Sequence, residues 1–136
     1  DKSIKIWDSW YRLLDLNITT WPEDPVSQRS DCHAWSCLPV YEFTAEYLGI
    51  KPLEPGYKQI VLSPSGYGLG SIEGIIATTI GNIYAKRVVD ETDTGYNIML
   101  EIRLPKKVKI LLDIDQIEEK TIYAREYKVK YYVHKL

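Results

Sequence analysis

Apolar residues in the first third of the chain recur at helical spacing. In the opening segment they repeat every three or four residues and cover most of one helix surface: Ile4, Ile6, Trp7, Trp10, Tyr11, Leu13 and Leu14. A helix this apolar needs neighbours on several sides. A second helical pattern runs over residues 30–48, and Gly49 follows it as a stop. Ser30 or Asp31 is its N-cap, and Pro39 predicts either a kink or the true start of this helix.

Beyond residue 50 the period of the apolar positions changes to two, which is typical of strands. Gly81-Asn82, Asp93-Thr94-Gly95 and Pro105-Lys106 predict turns between them. The alternating segments cover residues 60–62, 72–78, 82–90, 96–104, 108–114 and 127–133. Six or seven half-buried strands of this kind predict an antiparallel β-sandwich. The fold class is therefore mainly β with an α-helical N-terminal part.

Composition changes at the same place as the period. All four tryptophans fall within the first 35 residues, whereas the eight glycines begin at Gly49. We therefore predict two domains, residues 1–50 and residues 51–136. With 136 residues and 45% apolar content, the chain can bury a core without disulfides. Cys32 and Cys37 are five residues apart in a predicted helix and point away from each other, so we expect two free, buried thiols.

Charge and spacing exclude several kinds of partner. The 17 basic and 19 acidic residues give a net charge of −2, so counterion release does not favour nucleic acid. The chain has no apolar run of about 18 residues to span a membrane. No cysteine and histidine spacing fits a metal site, and no motif calls for a cofactor. The start lacks both an initiator methionine and a signal peptide, so we expect a chain whose N-terminal part has been removed. The cellular compartment therefore stays open.

The chemistry-bearing side chains concentrate in the loop before the second helix and at its start. Seven such residues fall within 15 positions: Trp21, Glu23, Asp24, Arg29, Asp31, His33 and Trp35. Carboxylates, an imidazole and flat aromatic faces suit a site for a neutral sugar. Taken singly, these residues also fit a solvated loop, a helix start and ordinary packing.

The tyrosines near the C-terminus offer a second, weaker surface for sugar stacking. They are Tyr123, Tyr127, Tyr131 and Tyr132. Tyrosine is enriched in strands for packing reasons, so we expect these four to belong to the sheet.

Three stretches of the chain match a known pattern. They are Leu16-Asn17-Ile18-Thr19-Thr20-Trp21-Pro22-Glu23, Gln28-Arg29-Ser30-Asp31-Cys32-His33-Ala34-Trp35-Ser36, and Leu48-Gly49-Ile50-Lys51-Pro52 followed by Pro55-Gly56-Tyr57. The pattern resembles the C-terminal end of bacterial α-L-rhamnosidases of glycoside hydrolase family 78, and the likeness extends over nearly the whole chain. The resemblance implies that residues 1–50 end an (α/α)6 barrel catalytic domain and that residues 51–136 form the C-terminal β-sandwich.

The resemblance also implies an activity and its residues. Family members remove terminal α-linked rhamnose from oligosaccharides or glycosides with inversion of configuration. Glu23 falls on the general base and His33 on a histidine that contacts the sugar. Trp21 and Trp35 do not follow from the resemblance; we assign them to substrate binding because their flat aromatic faces lie beside these residues in the sequence. Asp24 remains the alternative base. The general acid lies upstream, so we expect this fragment to be inactive alone and to pack on the missing barrel of its parent.

Two other interpretations stay open. In the first, the sandwich is a non-catalytic module that binds carbohydrate or buttresses the barrel, and Glu23 is inert. In the second, the chain is an intact relative used as an interaction domain. A bacterial origin leaves both the periplasm and the cytoplasm open.

Overall fold

The structure is a computed structural model that describes residues 8–24, 26–27 and 29–135. The chain divides into two compact units, one that ends at Phe43 and one from Thr44 to Leu136. The start of the first predicted helix, with Ile4, Ile6 and Trp7, lies outside the described residues. The domain boundary that we placed after residue 50 stays a prediction.

The first unit contains short helical segments rather than long helices. A 3-10 turn, Asp8–Tyr11, leads into helix α1 (Arg12–Asp15), which buries Leu13. A second 3-10 turn, Ala34–Cys37, leads into helix α2 (Leu38–Glu42). A π turn, Phe43–Tyr47, follows, and all of it after Phe43 belongs to the second unit.

The second helical run begins later than the sequence predicted. Its N-cap is His33, with extended backbone at φ −129°, instead of Ser30 or Asp31. Pro39 lies in the first turn of α2, so the expectation that it marks the start is confirmed. A proline costs little there, because the first backbone N–H groups of a helix have no partner inside the helix.

The second unit is a curled, six-stranded sheet within the described residues. Its strands are β1 (Ile50–Pro52), β2 (Gln59–Leu62), β3 (Ile72–Thr78), β4 (Gly81–Glu91), β5 (Gly95–Leu112) and β6 (Lys120–His134). This confirms the prediction of a mainly β fold. The short strand β1 is not among the segments that the alternation predicted.

One pairing departs from the antiparallel expectation and makes the sheet mixed. Strand β5 has β6 along one edge, and on its other edge β4 pairs with residues 96–103. Further along the same edge, residues 109–112 of β5 pair in parallel with β2, so that Ile60 lies opposite Ile110. The length of β5 lets two strands of opposite direction share one edge.

The turn predicted at Pro105-Lys106 is wrong, because β5 continues through it. Arg103 pairs with Glu126 and Val108 pairs with Ala124, so four residues of β5 face one residue of β6. A proline has no N–H for the ladder, and a bulge is where a long strand tolerates it. Such a bulge bends β5, in keeping with the curl of the sheet.

The hairpin between β3 and β4 turns slightly earlier than predicted. Thr78 pairs with Gly81, so Thr79 and Ile80 form the two-residue loop. Gly81 is the first residue of β4 and has a φ of +110°.

One face of the sheet forms the hydrophobic core, as the alternation predicted. The inward side chains of β5 are 0–3% exposed: Ile98, Leu100, Ile102, Leu104, Val108, Ile110 and Leu112. All of these except Ile98 form one cluster with Leu48, Ile50, Ile60, Leu62, Ile83 and Ala85. Within the described residues, no helix is both long and apolar enough to cross a bilayer.

An arginine also lies in this core. Arg87 is fully buried, and its guanidinium donates hydrogen bonds to four carbonyl oxygens: those of Tyr47, Ser65, Gly66 and Gly70. Its charge lies over the ring of Tyr67, 5.4 Å from the centroid. Burial lowers the pKa of Arg87. The side chain joins β4 to two segments outside the strands.

Gly49 gives a direct test of the backbone at the start of this unit. Its φ is +75°, and a Cβ there would lie 2.2 Å from the Pro64 nitrogen. We expect Gly49→Ala to lower the free energy of unfolding by about 2 kcal/mol more than Gly70→Ala. Gly70 is the matched control, since its φ is +83° and nothing lies within 4 Å of its Cβ position. Urea unfolding followed by far-UV circular dichroism measures both, and equal losses would contradict the clash.

Candidate functional site

The predicted base lies on a segment that is paired with the chain just before α2. We call residues 21–24 the site loop. The His33 N–H donates to the Trp21 carbonyl at 2.6 Å, and the Glu23 N–H donates to the Ser30 carbonyl at 2.8 Å. These two bonds join the site loop to residues 30–33. The sequence showed only that the two segments are close along the chain, not that they pair.

Two side chains complete the support of the site loop. The buried Ser36 hydroxyl donates to the Pro22 carbonyl, and the Trp35 indole N–H donates to the Glu23 carbonyl at 3.3 Å. The carbonyls of three successive residues, Trp21 to Glu23, are therefore all bonded. This support fixes the backbone from which the Glu23 carboxylate projects.

The Glu23 carboxylate is largely shielded but keeps a free lone pair. Its side chain is 17% exposed, and Oε2 lies 3.2 Å from Nε of Arg29, whose own side chain is 79% exposed. Among the described residues, none donates a hydrogen bond to Oε1. A carboxylate held in this way can accept a hydrogen bond from a water molecule.

Asp24, the alternative base, is used by its own turn. Its Oδ1 accepts the backbone N–H groups of Val26 and Ser27 at 2.8 and 2.6 Å, and its Oδ2 accepts the Ser27 hydroxyl. The Ser27 hydroxyl, followed by these backbone bonds, lowers the pKa of Asp24. A carboxylate that has a lowered pKa and accepts three hydrogen bonds from its own turn is a poor proton acceptor, and the assignment of the base to Glu23 stays a prediction.

The aromatic residues of the site differ in how far they are available. The His33 and Trp35 rings lie 4.0 Å apart at 31°, and Trp35 is 63% exposed. Trp21 packs edge-on against Trp10, with centroids 6.1 Å apart. Trp35 thus presents an open face, whereas Trp21 is partly used in packing. Their roles in substrate binding stay predictions.

The first unit also contains an apolar groove of about 530 Å³. Its lining residues are Trp10, Tyr11, Leu13, Leu14, Ile18, Thr19, Thr20, Trp21, Pro39 and Phe43. Trp21 therefore contributes both to the site loop and to the wall of this groove.

The sulfur and metal expectations concern the same region. Both cysteines are free, as predicted, but Cys32 is exposed and Cys37 half-buried, so the prediction of two buried thiols is wrong. Cys32 lies in the extended stretch before the helical run, where it meets no core. Across residues 8–24, 26–27 and 29–135, no group of three histidine, cysteine or acidic side chains comes together.

Sequence reasoning missed the contributions of Arg29 and Ser36. Arg29 was counted among the charged residues without a role, and Ser36 was not singled out. Both lie within residues 28–36, the motif that carries the resemblance, so membership of that motif could have pointed to them. Composition alone does not show which serine of a loop will bond to a carbonyl.

The fold and the site loop define a mainly β domain preceded by a helical segment that carries a shielded carboxylate. The profile of the bacterial alpha-L-rhamnosidase C-terminal domain matches residues 49–128, which is more than half of the chain. The chain belongs to this family. It is therefore a domain associated with glycoside hydrolases.

A solved structure has the same fold. The native α-L-rhamnosidase from Aspergillus terreus superposes with a TM-score of 0.60 and 19% sequence identity. The match covers 91% of this chain and 15% of that chain, so the chain spans only a small part of the fungal protein. At this identity the likeness shows the fold alone. None of the curated proteins matches the chain.

Proposed function

We propose that the chain is the C-terminal part of an enzyme that removes terminal α-L-rhamnose by inversion, with Glu23 as its general base. The observation that carries the proposal is the site loop. The carbonyls of its first three residues are bonded, and Glu23 is shielded but has no hydrogen-bond donor at Oε1 among the described residues, while Asp24 is held in a turn. Membership of the rhamnosidase domain family supports the choice of substrate.

In the proposed reaction, Glu23 takes a proton from water while the water oxygen bonds to the anomeric carbon. The glycosidic C–O bond breaks, and the leaving oxygen receives a proton from a carboxylic acid in another part of the parent enzyme. An inverting site needs its two carboxyl groups about 6.5–9.5 Å apart, with room for water between them. Asp24, adjacent in the chain and held by Ser27, does not suit the acid role.

His33 and Trp35 are the proposed sugar-contacting residues. Their stacked rings combine an imidazole, which can exchange hydrogen bonds with hydroxyls, and an exposed indole face for the C–H groups of a pyranose. Trp21 is proposed to contact the substrate from the groove side of the site loop. None of these contacts requires a cofactor.

The first unit is proposed to pack on the catalytic barrel of its parent chain. Several of its apolar side chains are more than half exposed: Tyr11, Leu14, Leu16 and Leu38. Apolar side chains grouped this densely mark a surface that a protein partner covers.

The isolated chain is expected to release no rhamnose from an aryl α-L-rhamnoside, because it has a base but no general acid. Colorimetric detection of the aryl alcohol measures this. The full-length parent, under the same conditions, is expected to release rhamnose that is initially the β anomer, as ¹H NMR resolves. Turnover by the isolated chain that disappears in Glu23→Ala would refute the division of the site between two parts of the enzyme.

A further inference from the structure

The face of the sheet opposite the core carries a shallow depression of about 510 Å³. We call its six outward residues the outer patch: Val88, Asp90, Asn97, Met99, Lys130 and Tyr132. They form two rows across β4, β5 and β6. Asp90 lies opposite Asn97 and Asn97 opposite Tyr132, and the adjacent row is Val88, Met99 and Lys130.

The charged side chains of the next rows on this face are satisfied by one another. Lys86 lies 3.0 Å from Glu73, and Lys128 and Arg103 each lie 3.3 Å from Glu101. These ion pairs make an ordinary solvated sheet surface.

The outer patch differs from those rows. Its carboxylate, amide and ammonium groups, on Asp90, Asn97 and Lys130, are exposed and have no side-chain hydrogen-bond or ion-pair partner within the described part of the chain. Three free polar groups thus surround a half-buried apolar floor made by Val88 and Met99. The Tyr132 ring borders the floor, and its hydroxyl is fixed by the Thr94 hydroxyl at 2.6 Å.

We propose that the outer patch binds a pyranose ring of a neutral sugar, at a site independent of Glu23. A pyranose has apolar C–H groups on its faces and hydroxyls around its rim. The floor of Val88 and Met99 and the Tyr132 ring match the C–H groups. Asp90 accepts, Lys130 donates and Asn97 does both, which suits neighbouring hydroxyls that each donate and accept.

The charges and the backbone favour a sugar over other ligands. The positive charge of Lys130 is balanced by the negative charge of Asp90, so the patch does not select an anion such as phosphate. A peptide strand needs a free sheet edge, whereas β5 at the centre of the patch is bonded on both sides. The depression also has the size of small-ligand sites.

The chain provides its own reporter for this site. Met99 is the only methionine, so ¹³C-methyl methionine labelling gives one NMR signal at the floor of the patch. The full chain is titrated with methyl α-L-rhamnopyranoside, methyl α-D-mannopyranoside and methyl β-D-galactopyranoside. We expect at least one of them to move the signal saturably, with a Kd on the order of 1 mM.

Variants locate the binding. Asp90→Ala and Asn97→Ala are expected to raise Kd at least about tenfold, since each removes hydrogen bonds to the sugar. Asn82→Ala is the matched control, because Asn82 is an exposed asparagine of β4 outside the outer patch, and it should leave Kd unchanged. Far-UV circular dichroism checks that each variant is folded.

Two results would overturn the proposal. One is a Met99 signal that no probe moves saturably. The other is a Kd that Asp90→Ala and Asn97→Ala leave unchanged. Glu23→Gln must leave the titration as it is, so failure of the outer patch and failure of the Glu23 proposal are separate outcomes.

Discussion

Replacing Glu23 by glutamine in the full-length parent enzyme is expected to lower kcat by roughly 10²–10⁴ while substrate binding changes little. Glutamine keeps the shape of the side chain and one acceptor oxygen but does not take a proton. The site loop should survive the change, because its support comes from the backbone carbonyls and from Ser36 and Trp35. Steady-state kinetics on an aryl α-L-rhamnoside measure the loss.

Asp24→Asn is the matched control, since it makes the same chemical change one residue away. We expect only a mild effect on kcat, because Asp24 serves the turn at Ser27. Near-normal turnover in Glu23→Gln together with loss in Asp24→Asn would move the base role to Asp24.

The pH profile separates a lost base from a distorted site. A general base must be deprotonated to act, so it sets the acidic limb of the bell-shaped profile. Glu23→Gln should remove that limb and keep the basic limb, which belongs to the general acid. A variant that merely disturbs the site loop would lower the whole curve and leave both limbs in place.

Period-two alternation predicted the β unit well, because side chains of a strand point alternately to the two faces of a sheet and only one face here is buried. Ile98, Leu100 and Ile102 are inward and buried, as their spacing required. The helical unit was less predictable. Its apolar positions fit long helices, but the described segments are only four or five residues long. Tyr11 and Leu14 belong to that apolar stripe and are exposed, so their spacing did not by itself show what they pack against.

The long-range strand pairings of the sheet could not be predicted from the sequence. Pro105 is a usual turn residue, and nothing nearby in the sequence shows that β5 will continue past it with a bulge. The parallel pairing of β2 with β5 joins residues such as Ile60 and Ile110, whose alternation is the same in either direction. A local pattern fixes which face of a strand is buried and leaves its partner open.

The candidate site was predictable to the extent that it is local. Trp21, Glu23 and His33 come together because two short segments pair across one loop. The choice between Glu23 and Asp24 needed coordinates, since both residues are acidic and adjacent. The bonds from Ser27 support the proposal of Glu23, and a serine three residues after an aspartate is too common to predict such a turn.

Arg87 could not have been predicted as a core residue, because arginine is seldom fully buried. Its position in β4 is inward by register, between the buried Ala85 and the half-buried Val89. Removing it would leave carbonyl oxygens of Tyr47, Ser65 and their neighbours without donors in a shielded place. Each such loss costs about 1–3 kcal/mol.

We therefore expect Arg87→Met to lower the free energy of unfolding of the β unit by about 3 kcal/mol or more. Far-UV circular dichroism in urea follows the strands, while fluorescence reports the first unit, since every tryptophan precedes residue 36. Arg103→Met is the matched control. Arg103 is about half exposed, pairs with Glu101 and lies over the Tyr84 ring, so its loss should cost at most about 1 kcal/mol. If both variants unfold at the same urea concentration, the hydrogen bonds of Arg87 to the carbonyls stabilise the β unit no more than the contacts of an exposed arginine do.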